Sequence, residues 1–127
     1  MKLNPDCIRD ILLECEEKCT ALHGVKFCWD DGFTRGGRTY SGEETLYHLR
    51  QCELTGYFIK TSKDLNRNFF VLDLSPMGHE FLANIRSQEN WEETKKVASS
   101  IGSASLSALS SIASGLITAA IKSKLGI

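Results

Sequence analysis

Apolar positions near the start of the chain recur at helical spacing. Ile8, Leu12, Cys15, Cys19 and Leu22 follow a 4-3-4-3 pattern, which places one apolar face on a helix of about five turns. Asn4-Pro5-Asp6 opens it as an N-cap, a first-position proline and a first-turn acid, and Gly24 is the expected C-cap. Val25–Trp29 predicts a short strand. Asp30-Asp31-Gly32 and Gly36-Gly37 then predict a loop whose glycines tolerate positive φ. Ser41-Gly42-Glu43-Glu44 has capping-box form and starts a second helix, running to about Thr55 and ended by Gly56. Two β-rich runs, Tyr57–Thr61 and Asn68–Leu74, flank the polar stretch 62–67 and predict a hairpin. Ser75-Pro76 starts a third helix with Phe81, Leu82 and Ile85 on its apolar side, and a further helix opens near Glu89 and contains Trp91.

The last thirty residues follow a different rule. Ser99, Ser103, Ser107, Ser111, Gly115, Ala119 and Ser123 recur every four residues, and no charge occurs from Val97 to Ile121. An i, i+4 series traces one slowly winding stripe on a helix. A stripe without bulk admits a second backbone at close range, as at helix interfaces in membranes. A break is expected around Ile101-Gly102-Ser103. The bulky Ile101, Leu109, Ile112 and Leu116 share a broad side, while Ile117, Ile121 and Leu125 drift around the helix. The uncharged stretch has 25 residues, long enough to span a bilayer. Its eight serines and one threonine make a lone span marginal. Self-association through Ser103, Ser107, Ser111, Gly115 and Ala119 is the leading expectation, followed by docking on the chain's own domain and then by membrane contact.

Composition narrows the rest. The 127 residues suffice for one domain, expected over 1–88, with a helical tail over 89–127. Fifteen basic and sixteen acidic residues give a net charge of −1, so no strongly basic domain announces nucleic acid. Even 25–70, the most basic stretch, balances seven bases against six acids. Five cysteines form an odd set, and no apolar leader precedes Asn4-Pro5-Asp6; free thiols in the cytoplasm are expected.

Candidate chemistry is sparse. Cys15, Cys19, His23 and Cys28 offer ligand atoms, but structural zinc sites bring ligands in tight pairs across turns. Cys15 and Cys19 also complete an apolar face, where cysteine serves as a small hydrophobe. His79-Glu80 lacks a second histidine four residues after the first, since Ala83 stands there, and no P-loop pattern follows Gly32, Gly36 or Gly37. Cys52 lies one turn from His48, a pairing expected by chance; His48 is expected to make a structural hydrogen bond. Neither catalytic residue, metal nor cofactor is therefore expected.

A helix carrying Tyr47-His48-Leu49 and ending through Gly56-Tyr57-Phe58 into a hairpin resembles the recognition helix and wing of winged-helix domains. On that helix Tyr47, Arg50 and Gln51 lie near the outer face, where Arg and Gln can read base edges. Lys60, Lys63 and Arg67 would meet phosphates from the wing. Glu43, Glu44 and Glu53 on the same helix oppose that use. Segment 25–40, where a helix-turn-helix carries its preceding helix, is rich in glycine and aspartate instead.

Met1–Leu13 (MKLNPDCIRDILL), Tyr40–Phe58 (YSGEETLYHLRQCELTGYF) and Gly78–Arg86 (GHEFLANIR), with Trp91 and Lys124-Leu125-Gly126-Ile127, resemble an uncharacterised bacterial and prophage family, domain of unknown function 2513. The resemblance touches nearly the whole chain. It implies a small winged-helix-like protein, often among prophage genes, and brings no reaction, cofactor or catalytic residue. The expected fold is α+β: helix, short strand, helix, β-hairpin, helix, then a C-terminal helical extension. The expected function is a non-enzymatic adaptor or regulator that pairs with itself or another protein through its last helix. A sequence-specific DNA-binding regulator is the first alternative, and a membrane-associated effector acting through 97–125 is the second.

Overall fold

The computed structural model describes every residue, Met1–Ile127. The fold is α+β, with five helices and two small antiparallel sheets. The order is α1 (Pro5–Lys18), β1 (Val25–Phe27), β2 (Phe33–Arg35), β3 (Arg38–Tyr40), α2 (Gly42–Thr55), β4 (Thr61–Lys63), β5 (Phe69–Val71), α3 (Pro76–Ile85), α4 (Gln88–Ile101) and α5 (Leu106–Leu125). The chain forms two compact units, Met1–His79 and Glu80–Ile127.

In the first unit, the Asn4 side chain accepts the Asp6 amide at 3.1 Å and caps α1, while Ser41 caps α2 through the Glu44 amide at 3.1 Å. Helix α1 ends earlier than its apolar spacing predicts. Cys19 is its extended C-cap, and Leu22 is 85% exposed. The turn that follows has its own bonds: Thr20 Oγ1 accepts the amides of Leu22 and His23, and the Thr20 amide donates to the His23 carbonyl at 2.7 Å. This turn redirects the chain into β1, which pairs with β5 in the register Val25↔Val71 and Phe27↔Phe69. Strand β4 pairs with the other edge of β5, giving the sheet order β1-β5-β4. Tyr57–Thr61, expected as a strand, pairs with 71–74 through the bridge Phe58↔Leu74, the Ile59 amide on the Asp73 carbonyl at 3.1 Å and the Leu72 amide on the Lys60 carbonyl at 2.9 Å, and Thr61 opens β4.

Residues 30–37, expected as a loop, contain the start of a second hairpin. Gly36 and Gly37 at φ 61° and 78° join β2 to β3, the positive-φ pair that two-residue hairpin turns demand. The cross-strand partners Phe33 and Tyr40 stack at 5.9 Å, and Phe27 meets Phe33 edge-on at 5.5 Å. Two ionic contacts fasten this hairpin to α1. Arg38 binds the buried Asp10 through Nε and Nη2, both at 2.9 Å, and Tyr40 donates its hydroxyl to Asp10 at 2.6 Å. Arg35 reaches Glu14 and Glu17, each at 2.6 Å.

The second unit holds the end of α3 with α4 and α5, which pack on each other. Gly102 ends α4 in the left-handed region and Ser105 caps α5, so the chain breaks where the glycine predicts. Helix α5 buries Leu106, Leu109 and Ala113 and half-buries Ile112 and Leu116, whereas Ile101 is 67% exposed.

Candidate functional site

The turn between β4 and β5 is built on one carboxylate. One oxygen of Asp64 accepts the amides of Asn66 and Asn68 at 2.9 and 3.0 Å, and the other accepts Asn68 Nδ2 at 3.0 Å. These donors, the Asn68 amide foremost, hold the Asp64 carboxyl below its ordinary range. Within this turn Arg67 adopts φ 65°, the only non-glycine residue at positive φ. That conformation costs about 1–2 kcal/mol for a residue with a Cβ and persists because the bonds to Asp64 over-determine it. The Arg67 guanidinium lies over the Trp29 ring, 5.3 Å from its centroid. Asn68 Oδ1 also accepts the Trp29 amide at 3.3 Å, tying the aromatic residue to the same turn.

Trp29 also abuts the start of α2, where a Cβ on Gly42 would collide with the Trp29 carbonyl oxygen. Two open concavities share the Trp29–Arg67 pair. One, of about 460 Å³, is lined by Met1, Trp29, Glu43, Leu46, Tyr47, Arg50 and Arg67. The other, of about 590 Å³, adds Cys28, Asp30, Asp31, Leu65, Asn66 and Asn68.

Tyr47, Arg50 and Arg67 thus come together out of the six residues expected to face DNA. Arg50 is exposed, while Tyr47 is half-buried with its ring edge-on to His48 at 5.0 Å. Gln51 is half-buried outside the concavity, and its carbonyl accepts the Thr55 hydroxyl at 2.7 Å. Lys63 pairs with Glu53 at 3.0 and 3.1 Å and lies 5.0 Å from the Phe69 ring centroid. Burial raises the Glu53 carboxyl, but the Thr61 hydroxyl and the Lys63 ammonium outweigh it and hold the group below its ordinary range. Lys60 lines a separate concavity of about 340 Å³ with Lys26 on the three-stranded sheet.

His48 plays the structural part its helix position suggests. Its Nε2 accepts the Asn4 amide and its Nδ1 donates to the Glu44 carbonyl, both at 2.7 Å, so both ring nitrogens are engaged in a fully buried setting. All five cysteines are free. Burial raises the thiols of Cys7 and Cys52. Cys15 donates to Cys19 and is raised by that bond and by burial, while the same bond lowers Cys19. Cys15 is buried, Cys19 and Cys28 are half-buried and His23 is exposed. No three His, Cys, Asp or Glu side chains gather as a metal would require.

In the second unit, Ser107, Ser111, Gly115 and Ala119 all lie on the exposed side of α5, and Ser103 is half-buried ahead of it. Ile121 and Leu125, 53% and 67% exposed, extend that side toward the C-terminus. By length and composition α5 is apolar enough to cross a membrane.

Trp29, Met1 and Glu43 were not among the residues expected at a site. The legible signal was a tryptophan inside a polar loop, Cys28-Trp29-Asp30-Asp31, together with the Asx-turn string Asp64-Leu65-Asn66-Arg67-Asn68. A family profile described as hypothetical protein (DUF2513) matches residues 2–105. Comparison with curated proteins and with solved structures gave no match.

Proposed function

The chain belongs to the hypothetical-protein family DUF2513, and for it we propose a non-enzymatic, winged-helix-like adaptor that pairs with a second copy through the outer side of α5. The sheet order β1-β5-β4, with α2 running into the β4–β5 ribbon, supports the winged-helix reading of the first unit. On that reading the β2–β3 hairpin, pinned to α1 by Arg35 and Arg38, stands in place of the helix before the recognition helix. The engaged ring of His48 and the protonated, buried thiols of Cys7 and Cys52 support a role without catalysis.

One observation carries the association: α5 buries only its Leu106–Leu109–Ala113 side and leaves the small-residue stripe on the other. At Gly115 no atom lies within 4 Å of where a Cβ would stand. Residues as small as Gly115 and Ala119 let two helix axes come nearer than the usual 8–10 Å or so. The serine hydroxyls along the stripe favour a protein surface over lipid, where each needs a partner.

Light scattering on the full chain and on the Gly115→Arg and Ala119→Glu variants tests this. Both substitutions leave the α4–α5 contact alone. The expected result is a mass of two or more chains for the unmodified protein and of one chain for each variant. A single-chain mass for the unmodified protein at every concentration removes the association. Flotation of the chain with vesicles would replace it by membrane contact.

A DNA-binding role is the second reading, favoured by Tyr47, Arg50 and Arg67 sharing one wall beside the ribbon. The Lys63–Glu53 pair and the acids at 43 and 44 weaken it, because phosphate neutralisation supplies most affinity for duplex DNA. Binding to mixed-sequence duplex at low salt that falls steeply with added salt, and is lost in Arg50→Glu, would favour it over the adaptor.

A further inference from the structure

We propose that the concavity between Trp29, Tyr47, Arg50 and Arg67 is a binding site for a nucleotide, that is, for a nucleobase with its phosphate. The proposal is independent of association through α5. Its starting point is the strained turn. The Asp64 turn holds the Arg67 backbone at φ 65°, and the Arg67 guanidinium lies 5.3 Å from the Trp29 ring centroid, so a cation–aromatic pair is present in the unliganded fold. Strain maintained against its cost is a recurrent mark of a preorganised site. The Trp29 backbone is tied to Asn68 and abuts Gly42, while its half-buried ring and the exposed Arg67 side chain line the open space.

The chemistry of the wall selects the ligand. Two guanidiniums, Arg50 and Arg67, face one open concavity of about 460 Å³, within the roughly 300–1,000 Å³ range of small-molecule sites. Arg50 is exposed and contributes only through space to holding down the Glu53 carboxyl, and guanidinium forks suit phosphate oxygens. Trp29 and Tyr47 line the same space and would have no part in holding a bare anion. Aromatic and guanidinium planes together are the surface on which bases stack, irrespective of their sequence. Glu43, exposed on the same wall, repels a second phosphate but can accept from a base N–H, which favours one nucleotide over a duplex polyanion. The shared chemistry has two sources, a free nucleotide and a nucleotide of a single strand.

The test uses the full chain and the fluorescence of Trp29; the other tryptophan, Trp91, is 1% exposed. The probes are the four 5′-nucleoside monophosphates, a short single-stranded oligodeoxynucleotide, uncharged nucleosides and inorganic phosphate. Saturable quenching by nucleotide is expected, with weaker binding by nucleoside and by phosphate alone. Arg67→Gly is the informative variant, since glycine adopts φ 65° without strain and keeps the turn while removing the Arg67 side chain with its guanidinium. It and Arg50→Gln should each weaken nucleotide binding by about tenfold or more, the usual effect of losing a charge-assisted contact. Tighter binding of the oligonucleotide assigns the site to single strands; equal or weaker binding assigns it to free nucleotides. No saturable quenching up to millimolar nucleotide, affinity unchanged in both variants, or inorganic phosphate binding as tightly as nucleotide would each overturn the proposal.

Discussion

Alkaline pH should weaken the fold through its buried thiols, by an amount the structure sets. Cys7 and Cys52 are both fully buried, and burial raises each thiol above its ordinary value of 9.0. In the unfolded chain the same groups ionise near that value. A raised folded pKa means the folded state keeps a proton the unfolded state releases. The contribution is therefore whole below pH 9 and is lost as the pH rises toward the folded value. Between pH 8 and 10 each such thiol removes about 1.4 kcal/mol, so the two together remove about 2.7 kcal/mol. That is a large share of a stability of about 5–15 kcal/mol. The assay is urea unfolding in reducing buffer at pH 8, 9 and 10 or thereabouts, followed by tryptophan fluorescence, on the unmodified chain and on Cys7→Ala/Cys52→Ala. The double variant starts lower, by about 1 kcal/mol per site, but should lose about 2.7 kcal/mol less over the interval. Tyr40, which burial and Asp10 also raise, and the Cys15–Cys19 pair are common to both proteins and drop out of the difference. Parallel pH profiles would mean that the two thiols titrate alike in the folded and unfolded chains, and would rule out this source of alkaline destabilisation.

Three further perturbations test the framework around the site. Asp10→Ala takes the acceptor from the Tyr40 hydroxyl and half-exposed Arg38 and should cost toward the lower end of about 3–5 kcal/mol, whereas Tyr40→Phe removes the bond to Asp10 and the longer one accepted from Arg38 Nε and should cost about 1.5–3 kcal/mol; denaturant midpoints read both, and equal costs would contradict the network. His48→Leu, close to imidazole in volume, leaves the Asn4 amide without its acceptor, so a loss of about 1–3 kcal/mol is expected by thermal melting; an unchanged midpoint would deny the bond its role. Gly42→Ala sets a methyl against the Trp29 carbonyl and should shift Trp29 emission and lower stability by about 1–3 kcal/mol; unaltered emission would show that α2 and Trp29 do not meet there.

Much of the first unit was legible in local chemistry. The caps at Asn4 and Ser41, the stop at Gly56 and the break at Gly102 are decided by residues a few positions away, because helix ends are satisfied by their own neighbours. The stripe on α5 was equally readable, as helical periodicity is a property of the chain alone. The β2–β3 hairpin was missed although Arg35-Gly36-Gly37-Arg38 carried its turn. Three-residue strands give almost no alternation to detect, and this pair is held by Asp10 and Glu14 from a distant helix. The end of α1 was misplaced for the converse reason. Cys19 and Leu22 continue the helical spacing, but the pairing of β1 with β5, some forty residues on, turns the chain away first.

Local sequence is enough for the caps at Asn4 and Ser41, the stops at Gly56 and Gly102, the apolar faces of the helices, the sparseness of reactive groups and the family. Which charged residues remain exposed beside the concavity depends on contacts made by the folded chain. Lys63 and Arg50 look equivalent as cations in the chain, yet the sheet brings Lys63 to 3.0 Å from Glu53, whereas Arg50 feels Glu53 only through space and stays exposed beside Trp29 and Arg67. Pairing between charges depends on a few ångströms of separation. Those separations arise from contacts between segments far apart in sequence, so they exist only once the fold has formed.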